Sequence, residues 1–284
     1  MPKIALVILS VLGIIVFLFL IVSFISSILF EQKVYREVSE LFSEVESRSQ
    51  IVQPADLAGL PHPVQKWLQY SQVIGKERIS TVRLKQKVEL RLKEGQQWMH
   101  ADAEQYFTVE KPGFIWKAKI KAAPLLHIAG RDKYQAGMGN MLIKALSLIT
   151  VADASGEEID QGTLLRYLAE TVWFPTAALS SYITWEEIDA NSAKVTMSYG
   201  GITASGIFTF NEKGEIINFV AKRYGEFDGQ YRLETWSVPV QDYREFNGIK
   251  VPTRGQVIWK LESGDFNWYH FEVTEIEYNK PVVY

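Results

Sequence analysis

The chain contains no cysteine, which excludes disulfide staples and thiolate metal sites and leaves stability to a packed core. Its four histidines, His62, His100, His127 and His270, show neither H-x-x-x-H nor H-E-x-x-H spacing, so no metal site is expected. An excess of positive charge is also missing, since 30 basic residues face 33 acidic ones for a net charge of −3. Nucleic-acid binders neutralise phosphates with a basic domain, and no Lys/Arg run interleaved with aromatics occurs here. Gly137-Met138-Gly139 has two glycines of a phosphate loop but lacks the third glycine and the Lys-Ser/Thr ending. It reads as a turn that lets backbones approach closely, and no cofactor is expected. Disorder is excluded by a composition that is 47% hydrophobic, with eight Trp, 13 Tyr and 15 Phe.

Against these absences stands one long apolar run. Ile4 to Phe30 holds 27 positions without a charged side chain. At about 1.5 Å per residue it makes a helix about 40 Å long, enough to cross about 30 Å of hydrocarbon. Residues 1–30 are therefore expected to be a single-pass membrane anchor. A cleaved signal peptide would have an apolar stretch of about 7–15 residues and a small-residue cleavage site, and Ser26-Ser27-Ile28-Leu29-Phe30 supplies no such pattern. Lys3 before the run and Lys33 and Arg36 after it bias orientation little. A short stub ahead of a large folded domain reads as a signal anchor in the cell membrane, with the bulk outside the cytoplasm.

Residues 31–52 are expected to continue as a juxtamembrane amphipathic helix, because Val34, Val38, Leu41, Phe42 and Val45 fall at helical spacing among Glu, Lys and Arg. The apolar stripe has to bury against the domain, the membrane surface or a partner. One reading makes 31–50 the surface by which an envelope scaffold holds a membrane protein.

Residues 53–284 read as one β-rich globular domain. From Ile79 the apolar period is two: Val82, Leu84, Val88, Leu90 and Leu92 alternate with Arg83, Lys85, Lys87, Glu89, Arg91 and Lys93. Phe114, Trp116, Ala118 and Ile120 repeat the pattern, as do Val257, Trp259 and Leu261. Turn chemistry separates the runs, strongest at Asn247-Gly248 and present at Asp228-Gly229 and Ser263-Gly264. About ten strands are expected between Ile79 and Tyr278, interrupted by helices near 139–148 and 160–173. Strands joined by hairpins imply one antiparallel sheet, and a sheet that large must curl. The fold class is α+β, mainly β: a transmembrane helix followed by a large curved antiparallel sheet, a half-barrel, wrapping one or two helices.

The stretch Asp242-Tyr243-Arg244-Glu245-Phe246-Asn247-Gly248-Ile249-Lys250-Val251-Pro252 resembles a hairpin of the bacterial lipoprotein-carrier superfamily, whose half-barrels wrap helices around a hydrophobic groove. LPHPVQKWL at 60–68, GRDKYQAGMGNM at 130–141, RYLAETVWFPTAAL at 166–179 and AKRYGEF at 221–227 are similar to a bacterial family of single-span proteins with no established function. That resemblance covers about Leu60 to Tyr278 and implies a fold without an activity.

Among the carboxylates, Glu170 lies four residues from Arg166 and beside Trp173, Phe174 and Pro175, where it is either ion-paired or strongly perturbed. A structural salt bridge is one reading. An envelope hydrolase using Glu170 with Asp132 is the other. The basic face formed by Arg83, Lys85, Lys87, Arg91 and Lys93 with Lys117, Lys119 and Lys121 is a solvated outer surface or meets anionic headgroups. Six tryptophans, Trp98, Trp116, Trp185, Trp236, Trp259 and Trp268, fall in expected strands; core packing against the helices accounts for most of this aromatic load, and the rest is left to line a groove. The leading expectation is a groove for a lipid, a lipoprotein acyl chain or another amphiphile, lined by Trp116, Met141, Leu142, Leu168, Trp173 and Trp259, with Arg166, Glu170 and Arg223 as its polar groups.

Overall fold

A computed structural model describes residues 2–46, 49–123 and 126–284. Residues 47 and 48 of the expected juxtamembrane segment 31–52 lie outside the described residues. Three α-helices, α1 (Pro2–Ser43), α2 (His62–Tyr70) and α3 (Glu157–Glu170), accompany thirteen strands. The first meander comprises β1 (Thr81–Leu90), β2 (Met99–Thr108), β3 (Gly113–Ala123), β4 (Leu126–Gln135), β5 (Met138–Ala145) and β6 (Ile149–Ala154). A second follows α3: β7 (Ile183–Asp189), β8 (Ser192–Tyr199), β9 (Ile202–Phe210), β10 (Ile216–Phe227), β11 (Gln230–Phe246), β12 (Ile249–Leu261) and β13 (Gly264–Tyr278).

All thirteen strands join one antiparallel sheet in the order β6-β5-β4-β3-β2-β1-β13-β12-β11-β10-β9-β8-β7. The first and last strands pair in the middle, so the chain ends one meander at edge β6 and must begin the next at the opposite edge, β7. It makes that crossing as α3, and the curled sheet wraps the crossing helix. Two turns meet where the sheet curls round: a Cβ on Gly137 would lie 2.7 Å from Gly200 Cα and 2.8 Å from Gly200 O. Both glycines have positive φ, 84° and 62°, so the seam needs glycine for space and for backbone conformation alike. Gly200→Val is expected to cost about 1–3 kcal/mol by forcing the seam apart. A lowered urea midpoint for the full-length protein checks this; an unchanged midpoint would mean that the seam contributes nothing.

The helix expected over 139–148 is instead β5 and the turn after it. Met141 pairs with Asp132 and Leu142 with Arg131, so the two apolar residues point to opposite faces. Both faces of β5 are covered, α3 lying against one and α1 against the other. A strand covered on both sides loses the period-two signal and passes for a helix. That misreading also lowered the expected strand count, since 126–154 supplies three strands.

The inner face of the sheet forms the main core with α2 and α3. Trp67 of α2, fully buried, sits among Trp185, Phe208 and Phe210, with ring centroids 6.2–6.3 Å away. The outer face carries a second core. Phe30, Val34, Val38, Leu41 and Phe42 of α1 bury against Tyr106, Ile115, Ala129 and Leu142, each contributing on the order of 1.5–3 kcal/mol before ordering costs. Polar contacts fix the helix in register: Arg131 Nε lies 3.0 Å from Glu37 Oε2, and Lys117 Nζ lies 2.7 Å from Glu31 Oε2. The stripe that a partner of segment 31–50 would need is thus occupied by the protein's own sheet. The basic face is not a continuous cationic patch either, because β2 places Asp102 between Lys87 and Lys119, and Glu104 between Lys85 and Lys117.

Candidate functional site

Register puts Leu84, Gln105, Trp116, Asp132 and Met141 in one row across the inner faces of β1 to β5. Above this row α3 supplies Arg166. Its Nη1 donates to Asp132 Oδ2 at 2.5 Å and its Nε to Glu170 Oε1 at 2.9 Å, while Gln105 Nε2 donates to Glu170 Oε2 at 2.7 Å. The guanidinium also stands 5.0 Å from the Phe114 ring centroid and 5.2 Å from that of Trp116. One cation therefore ties α3 to β4 while sitting on aromatic faces.

Burial works against the charge on Arg166, but Glu170 and Asp132 outweigh it and hold the guanidinium above its ordinary range. Glu170 moves the other way for a carboxylate: burial pushes its pKa up, against the pull of Arg166 and Gln105. The side chains of Arg166, Asp132 and Glu170 retain 16%, 23% and 12% exposure, so the cluster is not sealed from solvent. The hydrolase expectation requires Asp132 and Glu170 free to exchange protons, and both are engaged by one guanidinium.

Arg223 on β10 completes the interior. Its Nε donates to Gly162 O at 3.1 Å, and its guanidinium lies 5.1 Å from the Trp236 ring centroid and 5.8 Å from that of Trp259. Burial, followed by repulsion from Arg166, lowers its pKa to about 10. The acidic residue opposite it in register, Glu234, pairs with Arg232 at 3.7 Å. Among the described residues Arg223 forms no salt bridge, and the buried indole nitrogens of Trp236 and Trp268 have no hydrogen-bond partner. Two indole donors facing the interior are thus left without an acceptor, near a guanidinium whose hydrogen bond goes to a carbonyl and not to an anion.

Trp116, Met141, Arg166, Glu170, Arg223 and Trp259 accordingly share the interior with Asp132. Leu142 does not: it faces outward into the α1 contact, a consequence of its place on a strand. Leu168 is fully buried in the main core, and Trp173 is buried there with its Nε1 donating to Pro252 O at 3.1 Å. Trp236, Tyr269 and Gln105 belong to the interior as well and were not among the residues expected to line it. Tyr269 follows the alternation of β13, but Gln105 gave no signal, because a polar residue in a strand is ordinarily read as outward-facing.

A concavity of about 620 Å³ lies between α1 and the outer side of β1 to β3, lined in part by Ser27, Phe30, Glu31, Lys117 and Lys119. Lys117 is already paired there with Glu31 at 2.7 Å and Glu104 at 3.1 Å. The interior, with its unpartnered donors, is the better candidate for a ligand.

Residues 50–271 match the model of a family of unknown function, DUF6544. The chain belongs to that family. Among solved structures, a LolA-superfamily protein of Nitrosomonas europaea is similar at 10% identity and a TM-score of 0.44, over 76% of this chain and 94% of that one. A putative outer membrane lipoprotein-sorting protein domain of Vibrio parahaemolyticus is similar at 5% identity and a TM-score of 0.41, over 76% and 92%. No curated protein matches this DUF6544 chain.

Proposed function

We propose that this DUF6544 protein is anchored by α1 in the cell membrane, with its domain outside the cytoplasm, and binds a lipid, an acyl chain or another amphiphile in its half-barrel. The observation that carries the reading is Arg223, a half-buried cation on tryptophan faces without a carboxylate partner among the described residues, beside the indole N–H of Trp236, which has no acceptor among them either. An anionic or acceptor headgroup satisfies those donors, and the surrounding Trp116, Trp259 and Met141 suit an apolar tail. Met99, Ile128, Phe227, Leu261, Phe266 and Trp268 are only partly buried on the main core, which leaves an apolar approach to the interior. The anchor reading rests on α1, whose Lys3–Ser43 stretch is long and apolar enough to cross a membrane and contains an 18-residue window with no residue buried by the protein.

The test is photo-crosslinking of the full-length protein, in its membrane, with a diazirine fatty acid. Adducts are expected on peptides carrying Trp116, Trp236 or Trp259. Arg223→Gln should reduce them about tenfold, the loss of one charge-assisted contact. Adducts confined to α1 would overturn the interior site.

A further inference from the structure

Each α1 residue has a fixed height along the sheet, because α1 packs against it over two stretches. At one end Leu41 presses on the start of β3, where a Cβ on Gly113 would meet Leu41 Cδ1 at 2.8 Å. At the other, Ser23 Oγ donates to Leu146 O at 3.1 Å, and Ser27 Oγ bonds Ser147 Oγ at 3.2 Å. His127 joins this cluster through Ser147 at 2.9 Å. The contacts at Ser23 and Ser27 fall on the turn between β5 and β6 and on the first residues of β4. These mark the end of the sheet where β1, β3 and β5 end and β2, β4 and β6 begin.

Helical rise sets the depth of that end. Ile4 to Ser23 spans about 28 Å at about 1.5 Å per residue, nearly the whole of an apolar layer of about 30 Å. With α1 across the bilayer, Ser23 therefore stands at the boundary of the hydrocarbon, and the hairpin tips stand at the same level. Those tips carry large apolar side chains turned to solvent: Leu126 is 42% exposed, Ile149 57%, Val151 65% and Leu92 66%. Singly exposed apolar residues are unremarkable. Four on adjacent tips, level with the end of a membrane span, are not random surface. The charges near them are of both signs, Lys93, Lys121 and Lys144 with Glu94 and Asp102, so attraction to anionic lipid is not the basis of the contact.

We infer that the β1–β2 and β5–β6 tips, with Leu126 at the start of β4, form a second membrane contact, seating the open end of the half-barrel on the interfacial layer of the bilayer that α1 crosses. Leu126, Ile149 and Val151 enter the acyl boundary, and Leu92 lies at its rim. The contact rests on α1 being a membrane span and not on the amphiphile site. It gives that site a direct source of ligand, since the mouth of the interior then opens on the leaflet and not on water.

The absence of cysteine allows single labels without background mutations. Full-length Ile149→Cys, Val151→Cys, Ile14→Cys and Lys213→Cys carry the environment-sensitive fluorophore NBD in phosphatidylcholine nanodiscs, with and without nitroxide lipids. Labels at 149 and 151 should emit to the blue of the label at 213, on the distant β9–β10 turn, and be quenched by shallow nitroxides. The label at 14 should be quenched only by deep ones. A label at 149 and 151 that behaves as at 213, while 14 remains deep, overturns the seat and keeps the anchor. A label at 14 that is itself exposed to water overturns the anchor and the seat together.

Discussion

Arg166→Leu is expected to destabilise the protein by about 3 kcal/mol, because it leaves the half-buried carboxylates of Asp132 and Glu170 without their shared cation. The loss has a pH signature. With Arg166 gone the pull that opposes burial at Glu170 is lost, so the Glu170 carboxyl stands still higher above its unfolded value and the folded state binds its proton more readily than the unfolded state. The Glu170 penalty is then complete above its folded pKa and fades as pH falls toward its unfolded one, giving a variant that gains stability on mild acidification relative to wild type. Urea unfolding across that range measures it. A further comparison separates charge from packing: Asp132→Leu and Glu170→Leu added to Arg166→Leu should recover much of the loss, since apolar residues of similar volume replace a buried ionic cluster at little cost. A single variant as stable as wild type at neutral pH would show that the cluster is effectively solvated.

Val38→Asp is expected to have a comparable effect by a different route. Val38 is fully buried where α1 lies on the outer face of the sheet, and an unpaired carboxylate there costs several kcal/mol. The helix avoids that cost by lifting off, which uncovers Tyr106, Ile115, Ala129 and Leu142. The expected result is rapid proteolysis after Ser43, at the segment leading to Pro54, with aggregation of the released domain. Digestion at the wild-type rate would mean that the helix does not depend on its apolar stripe. The same variant bears on the scaffold reading: the stripe over 31–50 serves the fold, so a lost partner interaction in this background would follow from domain damage.

Much of the sheet was legible because local rules act over short distances. The Asn247-Gly248 and Asp228-Gly229 pairs take positive φ at both positions, as tight hairpins require. The alternation from Val82 to Leu90 sets the inner and outer faces of β1 as the pairing then places them. Glycine at 137 was read as permitting close backbone approach, and it does so against Gly200. Where both faces of a strand are covered the rule gives no signal, as Met141 and Leu142 illustrate. Of the interior, Arg166 with Glu170 was visible as a helical i, i+4 pair. Asp132 and Gln105 joined them only through strands far away in sequence.

By itself the sequence determined the apolar span, the amphipathic stripe that follows it, the antiparallel character of the domain and most of its turns. These depend on side-chain periodicity and on φ preferences within a few residues. Only the tertiary structure decided that β1 pairs with β13, that α3 crosses the inside of the curl, and that the stripe of α1 closes on the protein's own outer face. It also decided which end of the half-barrel lies level with Ser23. Those outcomes depend on which buried faces find each other across more than a hundred residues, and local propensity carries no information about that choice.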